Sequence, residues 1–486
     1  MPTASARASV RASLSTMTSP STDPEAAVRR DRRVLRGSVR IPTSKPDTQR
    51  ALLMGALATG STAVTRPNVC SESLVLQEAC AELGARFVAE PEHDRIVVTG
   101  TGGAPLRPST ILRAAGSGFA LRHLVAVTSL VEGPCVLTGD QRLAQRPLTP
   151  LLDALTELGG KLETADAGLG LPLVNWEHGL TGGTVRVPAD ETSQFASALL
   201  LVAPYASGPV TVEVPAPVVG APYIRMTVAM MREFGARVRL PYGPGEPPAP
   251  GGIGPDADLR RIEVRPGGYR GRDLLVGPDA TSLFYFIAAA VVTDADIVVR
   301  EVPLGRHPFL DDVVTVGRRL GVRIDREGPD IRIVSGPPPA APLEIDATGI
   351  PTLVPALAAV ASDLPAGLRV TGARHIRHHK TSRLAVVMDQ LARLGRPLAP
   401  VLRDGALDGF ETLPAGPPAA LDVDGHGDHR NVMALHIAGL ALPETVTVAG
   451  AETLSTSFAD FLHCFRGLAA GRRGTDGALV TDAGRP

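Results

Sequence analysis

The sequence predicts a mixed α/β protein with two domains, each built from three copies of a βαβαββ unit. The main observation is a recurring helix that is apolar on one face, ends in Leu-Gly or Phe-Gly and leads into a short strand, as in SLVLQEACAELGARFVAE. A second helix type, such as GFALRHLVAVTSLVEG, lies between these segments and precedes another β-like run. Five glycines end the first helix type at spacings of 75, 76, 86 and 74 residues, namely Gly84, Gly159, Gly235, Gly321 and Gly395.

Six copies of this unit fit the chain of 486 residues, and the helix SFADFLHCFRGLAA stands where a sixth copy belongs. The longest spacing contains the Pro- and Gly-rich segment Pro241–Leu259, which predicts an inserted loop. We expect the crossover between the domains just after it, at Val264–Gly271. A repetitive α/β scaffold without catalysis is the alternative that repeats alone leave open.

Composition excludes several classes of protein. Hydrophobic residues make up 44% of the chain and the net charge is −1, which suits large cores and gives no overall attraction to a polyanion. Aromatic residues are only 3%, too few for a platform that stacks single-stranded nucleic acid. The four cysteines show neither a CxxC pair nor a His/Cys ligand spacing, so we expect reduced thiols and no metal site. No apolar run reaches the length of a membrane span.

The N-terminal segment 1–33 is rich in Ser, Thr, Ala and Arg and lacks the apolar stretch of a secretory signal. This composition predicts a disordered tail, with an organelle transit peptide as the alternative. We therefore expect a cytoplasmic protein without a membrane or nucleic-acid partner.

Lysine is rare in this chain, because only three of the 49 basic residues are lysines: Lys45, Lys161 and Lys380. A lysine offers a compact point charge that can exchange a proton, whereas an arginine offers a planar fork that stays charged. Lys45 lies in TSKPDTQRALL, where a helix is predicted to begin after a strand. Backbone N–H groups at such a position favour an anion, so Lys45 is a candidate for binding phosphate.

Several short motifs, taken in order, resemble those of the enolpyruvyl transferase family, in particular the 5-enolpyruvylshikimate-3-phosphate synthases. SKPDTQR is similar to the family motif SKSxSxR, and GSGFALR is similar to NAGTxxR. LTGDQRLAQRP keeps the pattern LTGxxRxxxRP, TSQ stands for SSQ, and DHR is unchanged. The resemblance covers about residues 36 to 470 and has the period of the repeats described above.

The resemblance implies a fold, a reaction and a set of site residues. The fold is a two-domain inside-out α/β barrel, which would place residues 34–43 and 266–486 in one domain and 44–265 in the other. The reaction moves the enolpyruvyl group of phosphoenolpyruvate to a hydroxyl, without a cofactor or metal. The residues implied for phosphoenolpyruvate are Lys45, Gly118, Arg146, Arg383 and Arg430. Those implied for the acceptor are Arg50, Thr192, Ser193, Gln194, Tyr223, Thr352 and His379, and the catalytic candidates are Lys45, Lys380 and His429.

The chain departs from the family pattern at its acid–base positions. Where the family has a catalytic carboxylate, the stretch ATGIPTLVPALAAVA offers Gly349 or Thr352. The family motif KETDR is HKTSR here, with Lys380 in place of the glutamate, and Thr456 replaces a late lysine. Since carboxylates and lysines normally supply general acid–base catalysis, we expect an altered site.

The acceptor is therefore open at this stage. It could be 3-phosphoshikimate, as in aromatic biosynthesis, or a uridine nucleotide such as UMP, as in antibiotic biosynthesis. The alternatives are a lyase that performs an elimination on a shikimate-like phosphate and a ligand-binding pseudoenzyme. We expect a monomer that acts on small molecules.

Overall fold

The chain folds into repeated strands and helices. The computed structural model describes residues 33–166, 169–177, 179–240, 257–304, 308–378 and 382–469. The strands up to the crossover are β1 Val34–Val39, β2 Ser61–Thr65, β3 Arg86–Glu90, β4 Arg95–Thr99, β5 Leu112–Arg113, β6 Cys135–Thr138, β7 Lys161–Asp166, β8 Leu169–Glu177, β9 Gly183–Arg186, β10 Val210–Glu213, β11 Arg237–Arg239, β12 Arg261–Arg265 and β13 Leu274–Leu275. The helices are α1 Lys45–Leu57, α2 Ser71–Glu82, α3 Gly118–Thr128, α4 Gln141–Ala144, α5 Thr149–Glu157, α6 Gln194–Val202 and α7 Ala221–Glu233.

The remainder of the described chain repeats the same pattern. Its strands are β14 Asp294–Val299, β15 Arg323–Glu327, β16 Asp330–Val334, β17 Leu343–Asp346, β18 Leu368–Thr371, β19 Leu398–Arg403, β20 Ala406–Thr412, β21 Asp422–Asp424 and β22 Thr447–Ala449. Its helices are α8 Ala280–Val292, α9 Pro308–Arg319, α10 Val354–Val360, α11 Arg383–Arg393, α12 His429–Leu440 and α13 Phe461–Ala469.

The sheets show that the repeats share one topology. Among the described residues there are five four-stranded sheets, with strand orders β13-β2-β4-β3, β5-β6-β8-β7, β9-β10-β12-β11, β1-β14-β16-β15 and β17-β18-β20-β19. In each of them the first pair is parallel and the other two pairs are antiparallel. The parallel pair β21-β22 begins a sixth unit of the same kind. The predicted βαβαββ repeat is therefore confirmed.

Two hydrophobic clusters divide the described chain into halves. The first half extends from residue 44 to 276, and the second half comprises residues 34–43 and 277–469. The chain crosses between the halves twice, because β1 at the start pairs with β14 of the second half whereas β13 pairs with β2 of the first. Tyr269 and Val276 belong to the core of the first half, although the sequence analysis places residues after 265 in the other domain. The assignment of domains stays a prediction.

Local sequence explains where the helices begin and end. The five glycines predicted to end helices have φ between +71° and +97°, a region that an L-residue with a Cβ atom avoids. Helix α8 has the sequence ATSLFYFIAAAVV and is buried on all sides, as expected for a helix that is apolar all round. In the part of the chain that is described, none of the helices combines the length and apolar composition that a membrane span requires. The predicted tail lies outside the described residues except for Arg33.

Candidate active site

Several helices begin at residues that the motifs implicate. Lys45 starts α1, Gly118 starts α3, Gln194 starts α6, Arg383 starts α11 and His429 starts α12. The side chain of the preceding residue caps three of these helices, namely Ser44, Ser117 and Asp428. A helix N-terminus carries unpaired N–H groups and the positive end of the helix dipole, so each of these positions favours an anion.

The Lys45 ammonium lies between the two halves. Its Nζ donates to Glu72 Oε2 at 3.1 Å and to the Thr456 carbonyl at 3.5 Å. The side chains of Lys45 and Glu72 are 14% and 16% exposed, so the pair is largely buried. Thr456 belongs to the second half, in a short 3₁₀ turn at Ala451–Thr456, and is itself buried. The ammonium therefore links α1, α2 and this turn.

Two arginine side chains pack closely against the start of α3. A Cβ atom on Gly118 would lie 2.7 Å from Arg146 Nη1 and 2.9 Å from Arg122 Nη1. Arg122 donates to Gln194 Oε1 at 2.9 Å, and burial lowers its pKa to about 9, with help from the Arg146 charge. The pKa of Arg146 is also lowered, first by burial and then by Arg383. Only glycine allows both guanidinium groups to approach the helix N-terminus this closely.

The second half contributes a buried ion pair. Arg383 Nε donates to Asp428 Oδ2 at 2.8 Å, and both side chains are almost completely buried. Asp428 Oδ1 accepts from the Arg430 N–H at 2.9 Å. Burial alone would raise the pKa of Asp428, but the charge of Arg383 and these hydrogen bonds outweigh it and hold the pKa well below the usual range. Arg430 Nη1 is buried and has no hydrogen-bond partner among the described residues.

His429 is a buried, uncharged ring at neutral pH. Burial lowers its pKa well below the usual value, and the charge of Arg430 lowers it further. Neither ring nitrogen has a hydrogen-bond partner in the described part of the chain. His429 is one of the predicted catalytic residues, but a neutral imidazole can begin a proton-transfer cycle only as a base.

The four cations predicted to hold phosphoenolpyruvate influence one another. The pKa of Arg146 responds to Arg383 and Asp428, and the pKa of His429 responds to Lys45, Arg383 and Arg430. A cavity of about 270 Å³ at this place is lined by residues that include Glu72, Arg142, Arg146, Asp140 and Gly427. A larger cavity of about 1230 Å³ lies elsewhere; Gly349 lines it, but none of the residues implied for phosphoenolpyruvate does. We place the candidate site beside the smaller cavity because Arg146 and Glu72, the partner of Lys45, line it.

The residues implied for the acceptor mostly contact one another. The Tyr223 hydroxyl donates to Thr352 Oγ1 at 3.5 Å across the two halves, and burial raises the pKa of Tyr223. Thr352 Oγ1 also lies 3.1 Å from Thr281 Oγ1, so its hydroxyl is in reach of two other hydroxyls. Thr192 Oγ1 accepts from the Gln194 N–H at 3.2 Å. The buried Ser193 precedes α6 but makes no side-chain capping bond, so capping does not explain its hydroxyl.

Arg50 connects α1 to α7 inside the first half. Its three nitrogens donate to Thr227 Oγ1 at 2.7 Å, to the Pro46 carbonyl at 3.0 Å and to the Tyr223 carbonyl at 3.3 Å. Burial lowers the pKa of Arg50 to about 10, which leaves it charged at neutral pH. Because these contacts are internal, they account for Arg50 without an acceptor. Its predicted role in acceptor binding stays a prediction.

Two predicted site residues, His379 and Lys380, lie outside the described residues. Conversely, the sequence analysis overlooked Glu72 as a site residue. The sequence held one indication of its role, because Glu72 stands near the start of a helix that follows a strand, and five other predicted site residues share that position. The pairing of Lys45 with Glu72 joins residues 27 positions apart, so no local pattern revealed it.

Comparison with known proteins decides the family. The family model described as EPSP synthase (3-phosphoshikimate 1-carboxyvinyltransferase) matches residues 30–465. The chain belongs to the EPSP synthase family. A 3-phosphoshikimate 1-carboxyvinyltransferase of Halobacterium salinarum is 32% identical over 444 residues, covering 90% of this chain and 97% of the relative. The enzyme of that name from Syntrophobacter fumaroxidans is 32% identical over 438 residues, covering 89% and 97%.

Solved structures confirm the fold of this EPSP synthase family member. The EPSP synthase from Acinetobacter baumannii aligns with a TM-score of 0.71 at 23% identity, covering 90% of this chain and 96% of that one. The enolpyruvyl transferase NikO from Streptomyces tendae aligns with a TM-score of 0.68 at 18% identity and the same coverage. The predicted fold class, the resemblance and the assignment as a carboxyvinyltransferase are thus confirmed.

Proposed function

We propose that the chain transfers the enolpyruvyl group of phosphoenolpyruvate to a hydroxyl of 3-phosphoshikimate. The binding of phosphoenolpyruvate is supported by the cluster of Lys45, Arg146, Arg383 and Arg430, which lies near helix starts from both halves of the chain. Phosphoenolpyruvate bears a carboxylate and a phosphate, which arginine forks hold through paired hydrogen bonds. The buried Arg430 Nη1 is a donor that such an oxygen would satisfy.

The choice of 3-phosphoshikimate as the acceptor rests on the curated relatives and on Phe119, which follows Gly118 in GSGFALR. The curated relatives carry the name 3-phosphoshikimate 1-carboxyvinyltransferase. Phe119 is only 6% exposed, its ring stacks on His123 with centroids 3.7 Å apart, and the Arg50 guanidinium lies 5.4 Å from its centroid. A pyrimidine base would find little open aromatic surface there, so Phe119 does not favour a uridine nucleotide.

The reaction needs proton exchange as well as anion binding. The methylene carbon of phosphoenolpyruvate takes a proton, the acceptor hydroxyl attacks the neighbouring carbon and loses its own proton, and phosphate leaves as the methyl group returns a proton. The net change converts phosphoenolpyruvate and an alcohol into an enol ether and inorganic phosphate. Among the described residues, the Lys45 ammonium suits delivery of the first proton, because His429 is uncharged.

Incubation of the purified protein with phosphoenolpyruvate and either 3-phosphoshikimate or UMP tests this function. We expect phosphate release and a product with the mass of the enol ether for 3-phosphoshikimate. Arg430→Met should lower the rate about 100-fold, as expected when a buried cation no longer meets the reacting anion. Arg332→Met is the control, because Arg332 forms a surface ion pair with Asp296. Turnover of UMP alone would replace the proposed acceptor, and turnover of neither would contradict the function.

A further inference from the structure

Glu72 is an acidic residue placed among the cations of the candidate site. It follows Ser71 at the start of α2, and its Oε2 accepts from Lys45 Nζ at 3.1 Å. Its side chain is 16% exposed and lines the cavity of about 270 Å³ together with Arg146. Its charge acts on Arg146 as well, since it opposes the lowering of the Arg146 pKa. Glu72 therefore acts on two groups assigned to phosphoenolpyruvate, on Lys45 through a hydrogen bond and on Arg146 through its charge.

The other acidic residues at this place are engaged in structural contacts. Asp140 Oδ1 accepts from the Leu143 N–H at 2.7 Å and caps α4. Asp428 holds Arg383 and the N-terminus of α12. Glu72, in contrast, pairs with a lysine, and an ammonium can give up a proton, whereas a guanidinium keeps its protons. Of these three carboxylates, Glu72 is the one that contacts a side chain able to donate a proton, the Lys45 ammonium.

The surroundings of Lys45 explain why a carboxylate is needed. The groups that act on it or lie beside it are the Glu72 carboxylate, the Thr456 carbonyl and the His429 ring, with Arg146, Arg383 and Arg430 in the same cluster. Neighbouring cations disfavour a charged ammonium, and an adjacent carboxylate favours it. Neither Gly349 nor Thr352, the two candidates for the family's carboxylate position, can provide this negative charge.

We propose that Glu72 is the positioning residue for Lys45, whose ammonium it holds by a hydrogen bond so that it can deliver a proton to phosphoenolpyruvate. This inference rests on the proposed function. It has a specific kinetic consequence, because the Glu72 carboxylate repels the anionic substrate while it orients the catalytic cation. Removing its charge should slow turnover without weakening phosphoenolpyruvate binding.

The central variant is Glu72→Gln, which keeps the shape of the side chain and removes its charge. We expect kcat to fall about 100-fold, in the range typical of impaired general acid catalysis, while KM for phosphoenolpyruvate stays equal or decreases. Glu72→Asp restores the charge on a shorter side chain and should recover part of the rate. Glu78→Gln lies on the exposed face of the same helix and should behave as the wild type. An unchanged kcat in Glu72→Gln, or a KM that rises together with a loss of thermal stability, would overturn the inference.

A second readout does not depend on turnover. The chain has three lysines, so trinitrobenzenesulfonate labelling followed by mass spectrometry can follow each of them separately. In Glu72→Gln, Lys45 should be labelled faster than in the wild type at the same pH, because its ammonium loses a charged hydrogen-bond partner, whereas Lys161 on β7 should not change. If the wild type turns over none of the acceptors, the proposed function fails, and the labelling still decides the pairing. An identical Lys45 profile in both proteins would overturn the role assigned to Glu72.

Discussion

Gly118→Ala probes whether Arg146 meets phosphoenolpyruvate at the start of α3. The added Cβ atom would lie 2.7 Å from Arg146 Nη1, whereas non-bonded atoms favour about 3.5 Å or more, so the guanidinium must move by roughly 0.8 Å. A charge-assisted hydrogen bond contributes about 1.5–3 kcal/mol. Losing one such bond to the substrate raises KM for phosphoenolpyruvate by about 10- to 150-fold.

Steady-state kinetics with phosphoenolpyruvate as the varied substrate measures this effect. Thermal stability should not fall, because alanine is a better helix former than glycine and the two displaced groups are flexible side-chain ends. Gly416→Ala is the matched control, since a Cβ atom there meets nothing within 4 Å. A Gly118→Ala protein whose KM for phosphoenolpyruvate stays within about twofold of the wild type would refute the placement of Arg146 in the substrate site.

Three further predictions concern single contacts. Asp428→Asn leaves Arg383 buried without its counter-charge and should lower the free energy of unfolding by about 3–5 kcal/mol, whereas Asp296→Asn at the surface should change it little. Because the pKa of Asp428 is depressed in the folded protein, the ion pair stabilises above the unfolded pKa of about 4. The difference between wild type and Asp428→Asn in urea unfolding should therefore shrink as the pH falls through the depressed pKa, and a difference that grows in acid would contradict this assignment. Tyr223→Phe removes a hydroxyl that bridges the halves and should raise the acceptor KM about tenfold; an unchanged acceptor KM would exclude it from the acceptor site. Lys45→Arg should lower kcat/KM about 100-fold, because a guanidinium does not exchange protons, and full activity would show that charge alone matters there.

Periodicity is the property that local sequence encodes most directly in this chain. The helix ending in Leu-Gly or Phe-Gly recurs because each repeat buries the same kind of apolar helix face. Gly84 and its counterparts adopt the left-handed backbone that ends each helix. Arg146, Arg383 and Arg430 were predictable because each stands in a short motif. The pairing of β1 was not predictable from local sequence, since β1 pairs with a strand that begins 260 residues later, at Asp294.

The sequence by itself determined the repeat, the helix ends and the motifs that contain the arginines proposed to bind anions, because these depend on residues that are neighbours along the chain. Tertiary structure decided which charges face each other. Glu72 meets Lys45 across 27 residues, Asp428 neutralises Arg383 across 45, and Arg50 reaches Thr227 across 177. The first pair joins the two helices of one repeat and the other two join different repeats, and the energy of each depends on burial and on distances that only the packed chain establishes. The acid–base chemistry of the site is therefore a property of the assembled repeats.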